Sequence, residues 1–179
     1  MKKFLTLALT LLMTMAVLPI GVAEESAVQN NAASMPWNLL ENAVSVEIGL
    51  HDSATSSVTM YDNDAALTMM DYLSYNSMRF PTYTYEEEAG FVGQWIRGDY
   101  TRNDEMTVTD VYAGELYLFS DGLLRLYFKD VPGANITATP VGFFADTEGF
   151  TEKVQKAYTE NLGDTWGVSV YFLIEKTME

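Results

Sequence analysis

Cysteine is absent from this chain of 179 residues. Disulfide bonds and attachment of a lipid to a cysteine are therefore excluded, and stability has to come from a hydrophobic core. Histidine occurs once, and a lone His51 beside Asp52 provides neither a zinc ligand set nor the pattern of a hydrolase triad. No nucleophile-elbow or phosphate-loop motif is present. The sequence predicts no catalytic residue, no metal site and no cofactor.

Long apolar runs are scarce, and the one at the N-terminus has the organisation of a bacterial secretory signal peptide. Lys2 and Lys3 form a positive start, residues 4–18 form the apolar run, and small residues end at Ala23. The run is shorter than the about 20 apolar residues that a membrane-spanning helix needs. We therefore expect residues 1–23 to be cleaved off. The protein is expected to be secreted or extracytoplasmic, with no integral membrane segment after cleavage.

Basic residues are few. Loss of Lys2 and Lys3 from the 10 basic residues leaves 8 against 25 acidic ones, a net charge of −17. Nucleic acids and anionic lipids need basic surface, so neither is an expected partner. The acidic runs 62–64 and 86–88 lack the spacing of a calcium loop, and we interpret them as a helix cap and a solvated surface.

The remainder divides into a flexible leader and one domain. Residues 24–43 begin with a small, polar stretch that has no apolar period, which predicts the leader, and the domain is expected over 44–176. There, apolar and polar residues alternate in a way typical of half-buried strands. Eight or nine strands are predicted, enough to close a sheet. Their ranges are 44–50, 56–61, 82–86, 91–96, 106–112, 116–119, 123–128, 136–144 and 168–174.

Two helices interrupt the strands. Apolar residues at helical spacing predict them over 64–75, capped by Asp62 or Asn63, and over 148–162. Together the elements predict a mainly β fold, a closed barrel of about eight strands whose open ends are covered by the two helices. The residues expected in its core include Val46, Ile48, Met70, Leu73, Leu126, Phe128, Val170 and Phe172.

Six stretches share one resemblance: Val58–Ala66, Glu115–Phe119, Leu126–Asp130, Pro140–Phe144, Glu148–Phe150 and Val154–Lys156. They resemble the small bacterial cyclophilin-like domains, and the chain is similar to an exported member of that family. The resemblance runs from about residue 45 to residue 174 and implies an eight-stranded closed barrel capped by two helices.

The resemblance also bears on activity. In cyclophilins an arginine donates to the prolyl amide, with a phenylalanine five residues later and a glutamine three beyond that. Here Phe91 and Gln94 match the last two, whereas Glu86 stands at the arginine position and a carboxylate has no donor. We therefore expect an exported, non-catalytic binding module. The alternative is a divergent prolyl isomerase in which Arg79 or Arg97 replaces the missing arginine.

Aromatic residues concentrate between positions 80 and 95, interleaved with polar ones. Most aromatics of a β-barrel lie in its core, but a shallow aromatic groove with a few polar donors is typical of a site for a peptide or small molecule. The ligand itself is not identified by the sequence. The candidate groove residues are Arg79, Tyr85, Phe91, Gln94 and Trp95.

Overall fold

A computed structural model describes residues 31–48, 55–96, 104–144, 149–161 and 169–174. Ten strands lie in these ranges, together with helix α1 (Asp64–Tyr75), helix α2 (Phe150–Glu160) and a short 3-10 helix (Thr82–Thr84). The strands are β1 Leu39–Ile48, β2 Thr55–Tyr61, β3 Met78–Pro81, β4 Tyr85–Glu86, β5 Phe91–Trp95, β6 Met106–Val108, β7 Glu115–Leu118, β8 Leu123–Tyr127, β9 Ile136–Phe144 and β10 Ser169–Ile174.

The strands form one large antiparallel sheet in the order β3-β10-β1-β2-β9-β7-β8-β5-β4, and β6 pairs with β9 beside it. The prediction of a mainly β fold with few helices is confirmed. The sheet is not closed, however, because β3 and β4 are its two ends within the described residues. A closed barrel therefore stays a prediction.

The two end strands, β3 and β4, follow each other along the chain. Between them the structure differs from the strand predicted over 82–86. Pro81 has no N–H to donate, and a 3-10 helix follows it at Thr82–Thr84. The Thr84 hydroxyl reaches back to the Pro81 carbonyl oxygen at 2.8 Å, which stabilises this turn. Only Tyr85–Glu86 is left to pair as β4. The predicted strand over 106–112 is also shorter, since β6 ends at Val108.

One face of the sheet and both helices enclose the interior cluster, the main hydrophobic core. Its members include Val46, Ile48, Leu73, Leu126 and Phe128, all predicted as core and all buried. Met70 is only half-buried and packs against the edge of this cluster. The side chains of Val170 and Phe172 lie outside the described part, so their burial stays a prediction.

Helix α1 occupies the predicted residues because Asn63 anchors its start in two ways. The Asn63 side chain accepts from the Ala66 N–H at 2.9 Å, which caps the helix, and it donates to the Pro140 carbonyl oxygen at 2.7 Å. The second bond ties the cap to β9. Helix α2 begins at Phe150 after Gly149, whose φ of 68° suits glycine. It is slightly shorter than the predicted range.

The opposite face of β5, β7, β8 and β9 is covered as well. An outer cluster forms there from Phe91, Val108, Val111, Tyr117, Leu123, Tyr127 and Ala138. Strand β8 is therefore apolar on both faces, with Leu124 and Leu126 toward the interior and Leu123 and Tyr127 toward the outer cluster.

The N-terminal part of the described chain is packed, not a free leader. Strand β1 begins at Leu39, inside the predicted leader, and Ala32 is buried against Tyr61 and Phe143. The leader therefore does not extend to residue 43 as predicted. The predicted signal peptide, residues 1–23, lies outside the described residues. In the described ranges, no helix combines the length and apolar composition that crossing a membrane requires.

Candidate functional site

Three of the five predicted groove residues line one open cleft of about 450 Å³. We call it the β3–β5 cleft, because the facing edges of these two strands form its walls. Helix α1 contributes its last turn. The lining residues are Tyr72, Ser77, Met78, Arg79, Gln94, Trp95 and Ile96.

The cleft exists because β3 and β5 lie side by side without pairing. Some of their Cα atoms approach within 8 Å, but no ladder joins the two strands. Paired strands would lie about 4.7–4.9 Å apart. Helix α1 ends beside this gap, where the Asn76 N–H donates to the Tyr72 carbonyl oxygen at 3.1 Å and turns the chain into β3.

The cleft has an apolar floor and an exposed aromatic rim. Met78 is buried in the interior cluster and Ile96 packs against it, which forms the floor. At the rim, the Trp95 side chain is 51% exposed and Tyr72 is 40% exposed. Arg79 is also exposed and is the one charged residue among the described residues of the lining. Exposed aromatic rings beside one cation form a surface suited to a ligand with an apolar ring and an anionic group.

The main chain of β5 next to the cleft is hydrogen-bonded to side chains. Gly93 directs its N–H and carbonyl toward the Thr84 hydroxyl, at 3.3 Å and 2.5 Å. The carbonyl oxygen of Trp95 accepts a hydrogen bond from the Gln94 side chain at 2.8 Å. The edge of β5 thus pairs with β4 at Phe91 and Val92, whereas side chains meet the main-chain groups of Gly93 and the carbonyl oxygen of Trp95.

The other two predicted groove residues lie elsewhere. The Tyr85 ring stacks on Phe128 and Tyr158, with centroids 5.2 and 5.4 Å apart, and packs against the interior cluster. Phe91 is buried in the outer cluster beside Tyr127. Since Phe91 and Gln94 are three positions apart on one strand, their side chains point to opposite faces of the sheet.

The sequence interpretation missed Tyr72, Ser77, Met78 and Ile96, which complete the cleft. Only Tyr72 carries a usable sequence signal. Its position on α1 falls outside the stripe formed by Ala66, Met69 and Leu73, so a large aromatic ring stands on the solvent face of the helix. The others become neighbours only through the sheet.

A second polar centre surrounds Glu115 at the start of β7. The side chain is only 2% exposed and accepts three hydrogen bonds. Asn31 donates to Oε1 at 2.6 Å, while the Tyr112 N–H and the Tyr117 hydroxyl donate to Oε2 at 2.8 and 2.9 Å. Burial raises the pKa of the Glu115 carboxyl, and the three donors offset part of that rise.

The buried Glu115 side chain also affects the pKa values of two neighbouring tyrosines. Burial, followed by the negative charge of Glu115, raises the pKa of Tyr61 and of Tyr117 far above the ordinary value. Both hydroxyls therefore stay protonated at any physiological pH. We call Glu115, Asn31, Tyr112 and Tyr117 the Glu115 cluster; its polar atoms bind one another, which is typical of a structural network.

Arg125 lies on the outer face of β8 between two aromatic rings. Its guanidinium carbon is 4.4 Å from the centre of the Phe91 ring and 3.8 Å from that of Phe119. These contacts place Phe91 in a cation–π stack and not in an open groove. In the part of the chain that the structure describes, no three His, Cys, Asp or Glu side chains are grouped as a metal site would need.

Comparison with known proteins gives little guidance. No protein-family model matches the chain, and no curated protein matches it. One solved structure, that of McbB in complex with tryptophan, is similar with a TM-score of 0.47 and 13% identity. The similarity covers 76% of this chain and 46% of that one, so the chain spans less than half the length of that protein. This likeness is too distant to assign a family or a function.

Proposed function

We propose that this protein is an exported, non-catalytic binding module whose ligand, a peptide or a small molecule, occupies the β3–β5 cleft. The observation that carries the proposal is the meeting of Trp95, Tyr72, Arg79 and Gln94 in one open cleft. Exposed aromatic rings grouped at an open cleft with an apolar floor are typical of a ligand-binding surface. The adjacent guanidinium and amide supply the few polar contacts that orient a ligand.

A closed cyclophilin-like barrel is part of the same proposal. Strand β3 pairs with β10 at one end of the sheet, and β4 pairs with β5 near the other. Because β3, the 3-10 helix and β4 follow one another without a break, residues 78–86 bridge the two ends. Such a bridge supports a barrel in which the β3–β5 cleft is the incompletely closed seam.

Export by a cleaved signal peptide also belongs to the proposal. It rests on the order of charged, apolar and small residues before Glu24. N-terminal sequencing of protein recovered outside the cytoplasm should begin at Glu24 or within a residue or two of it. Recovery of intact Met1 on that material would exclude cleavage.

The binding proposal is tested by a ligand screen with two variants. A library of short peptides and small metabolites is screened by saturation-transfer NMR against the full protein. Trp95→Ala should lose the ligands that bind the wild type. The matched control is Tyr83→Ala, because Tyr83 is 69% exposed but does not line the cleft, and it should retain them. Hits that survive Trp95→Ala would place binding elsewhere.

Divergent prolyl isomerase activity is the second candidate, favoured by Arg79 lying in the cleft with Gln94. Prolyl rotation has an uncatalysed barrier of about 18–20 kcal/mol, and lowering it requires a donor to the twisted amide. Arg97, the other candidate donor, lies outside the described residues. A protease-coupled assay on an X-Pro peptide should show no rate above background. Catalysis that disappears in Arg79→Ala would favour the isomerase instead.

A further inference from the structure

Arg125 on β8 is a cation that the fold leaves without an acidic partner among the described residues. Acidic residues far outnumber basic ones in the chain, 25 against 10. Even so, no carboxylate of the described ranges lies within ion-pair distance of the Arg125 guanidinium. Directly opposite Arg125 the sheet places Gly93 on β5 and Tyr117 on β7, and neither is charged. The positive charge is therefore not neutralised by a neighbouring side chain of these strands.

Two aromatic rings hold the Arg125 guanidinium in place. Its central carbon lies 4.4 Å from the centre of the Phe91 ring and 3.8 Å from that of the Phe119 ring. The attraction between a cation and a ring face fixes the flat group between them. An arginine side chain normally loses conformational freedom when it binds a ligand, which lowers affinity. Because Arg125 is already ordered by the two rings, binding at its guanidinium avoids most of that loss.

The hydrogen-bond donors of Arg125 are only partly used. A guanidinium carries five N–H donors. The Nε atom is buried and meets no hydrogen-bond partner. Burial raises the pKa of Tyr127, and the hydrogen bond that its hydroxyl accepts from Arg125 partly offsets this rise. The Arg125 side chain as a whole is half-buried, so terminal N–H groups remain for an acceptor from outside the protein.

We propose that Arg125 binds a small oxyanion, a carboxylate or a phosphate group, through its terminal N–H groups. The site is separate from the β3–β5 cleft, whose lining does not include Arg125. Because the Phe91 and Phe119 rings lie over the guanidinium, a ligand reaches it along its edge, where the donors are. Carboxylates and phosphates both present two oxygens that match neighbouring N–H groups of a guanidinium. A neutral or cationic ligand cannot neutralise the charge.

The test is an NMR titration of the full protein with three small probes. Benzoate supplies a carboxylate, methyl phosphate supplies a phosphate, and benzamide is the neutral counterpart of benzoate. Sodium chloride holds the ionic strength constant, and the main-chain amide signals of residues 93 and 125 report binding. At least one oxyanion should shift both signals saturably, with a Kd of about 10 mM or tighter. Benzamide should leave them unchanged.

Three variants assign the binding to the guanidinium. Arg125→Met keeps a long apolar side chain between the two rings but removes the charge, and it should abolish saturable binding. Arg125→Lys keeps the charge without the planar pair of donors, so binding should weaken about tenfold. Lys153→Met is the matched control, because Lys153 is an exposed cation of α2, and its removal should leave the Kd unchanged.

The results either support the oxyanion site or overturn it. Binding of benzoate alone or of methyl phosphate alone supports the site and identifies the group it prefers. Shifts that grow linearly without saturation, or benzamide binding as tightly as benzoate, would overturn the proposal. Oxyanion binding that survives in a folded Arg125→Met protein would also overturn it. If Arg125→Met does not fold, the wild-type titration and Arg125→Lys decide, and an unchanged Kd in Arg125→Lys counts against the site.

Discussion

The β3–β5 cleft and the Glu115 cluster are both polar regions of one sheet, but they differ in exposure. The polar groups of the cluster are buried and hydrogen-bonded to one another, whereas those of the cleft lie at the surface. In the Glu115 cluster a carboxylate that is 2% exposed accepts three hydrogen bonds from protein donors. In the cleft a tryptophan that is 51% exposed lies beside the Gln94 side chain, whose amide donates to the Trp95 carbonyl oxygen at the protein surface. A saturated buried network stabilises the fold, whereas open polar groups beside exposed rings are suited to a ligand.

The perturbed ionisation in the Glu115 cluster has a structural cause. The raised pKa of Glu115 and of Tyr117 comes first from burial, and the Glu115 side chain is only 2% exposed. The cleft residues are recognised by exposure and position instead. Variants in the two regions should therefore differ in kind: those of the cluster change stability, and those of the cleft change binding.

The largest expected effect lies in the core that supports both regions. Leu126 is fully buried between its strand partners Val92 and Leu116. Leu126→Ala should lower the free energy of unfolding by about 2–5 kcal/mol, because a cavity replaces the side chain. Leu67→Ala is the control, since Leu67 is 46% exposed and its loss should cost about 0.5 kcal/mol or less. Urea denaturation measures both, and equal midpoints would contradict the described core.

Removal of the buried Glu115 carboxylate should have the second-largest effect on stability. Glu115→Ala leaves the Tyr112 N–H and the Tyr117 hydroxyl without an acceptor, which should cost about 2–4 kcal/mol in unfolding free energy. The exposed Glu86 is the control, and Glu86→Ala should change the free energy by about 0.5 kcal/mol or less. If the two variants unfold at the same urea concentration, the Glu115 cluster is not structural.

The pH dependence of stability tests whether burial raises the pKa of Glu115. Because the folded-state pKa of Glu115 is raised above its unfolded value of about 4.3, the stabilisation linked to its proton is present below that value and is lost as pH rises through the folded pKa. Glu115→Gln removes this titration. Urea denaturation across acidic to neutral pH should show the wild type losing stability relative to Glu115→Gln as pH rises. A constant difference would mean that the pKa is not raised.

The smallest stability effect is expected in the cleft. Trp95→Ala removes a half-exposed ring and should lower the free energy of unfolding by about 1 kcal/mol or less. The same variant should abolish binding of the ligands that the screen finds for the wild type. Thermal unfolding and saturation-transfer NMR measure the two effects on one sample. A loss of stability comparable to that of Leu126→Ala would show that Trp95 belongs to the core and not to a binding surface.

Local sequence determined several elements correctly. The apolar spacing of Ala66, Met69 and Leu73 after the Asn63 cap predicts α1, and the structure has the helix over the predicted residues. The β7–β8 hairpin follows from Asp121 and Gly122: Gly122 has a φ of 87°, and the Asp121 carboxylate accepts from the Leu123 N–H. The helix and the hairpin depend on residues that are close along the chain, so their sequence patterns are enough to predict them.

Tertiary structure alone decided the surroundings of the site residues. Alternation along β5 does not reveal that its outer face is covered, which buries Phe91 beside Arg125. The Glu115 cluster depends on Asn31, which lies 84 positions earlier in the chain and inside the predicted leader. The cleft likewise needs Tyr72 of helix α1 and Trp95 of strand β5 to line the same opening. Contacts between segments far apart in sequence leave no periodic trace in either segment, because each side chain is selected by a partner that only the folded sheet brings near.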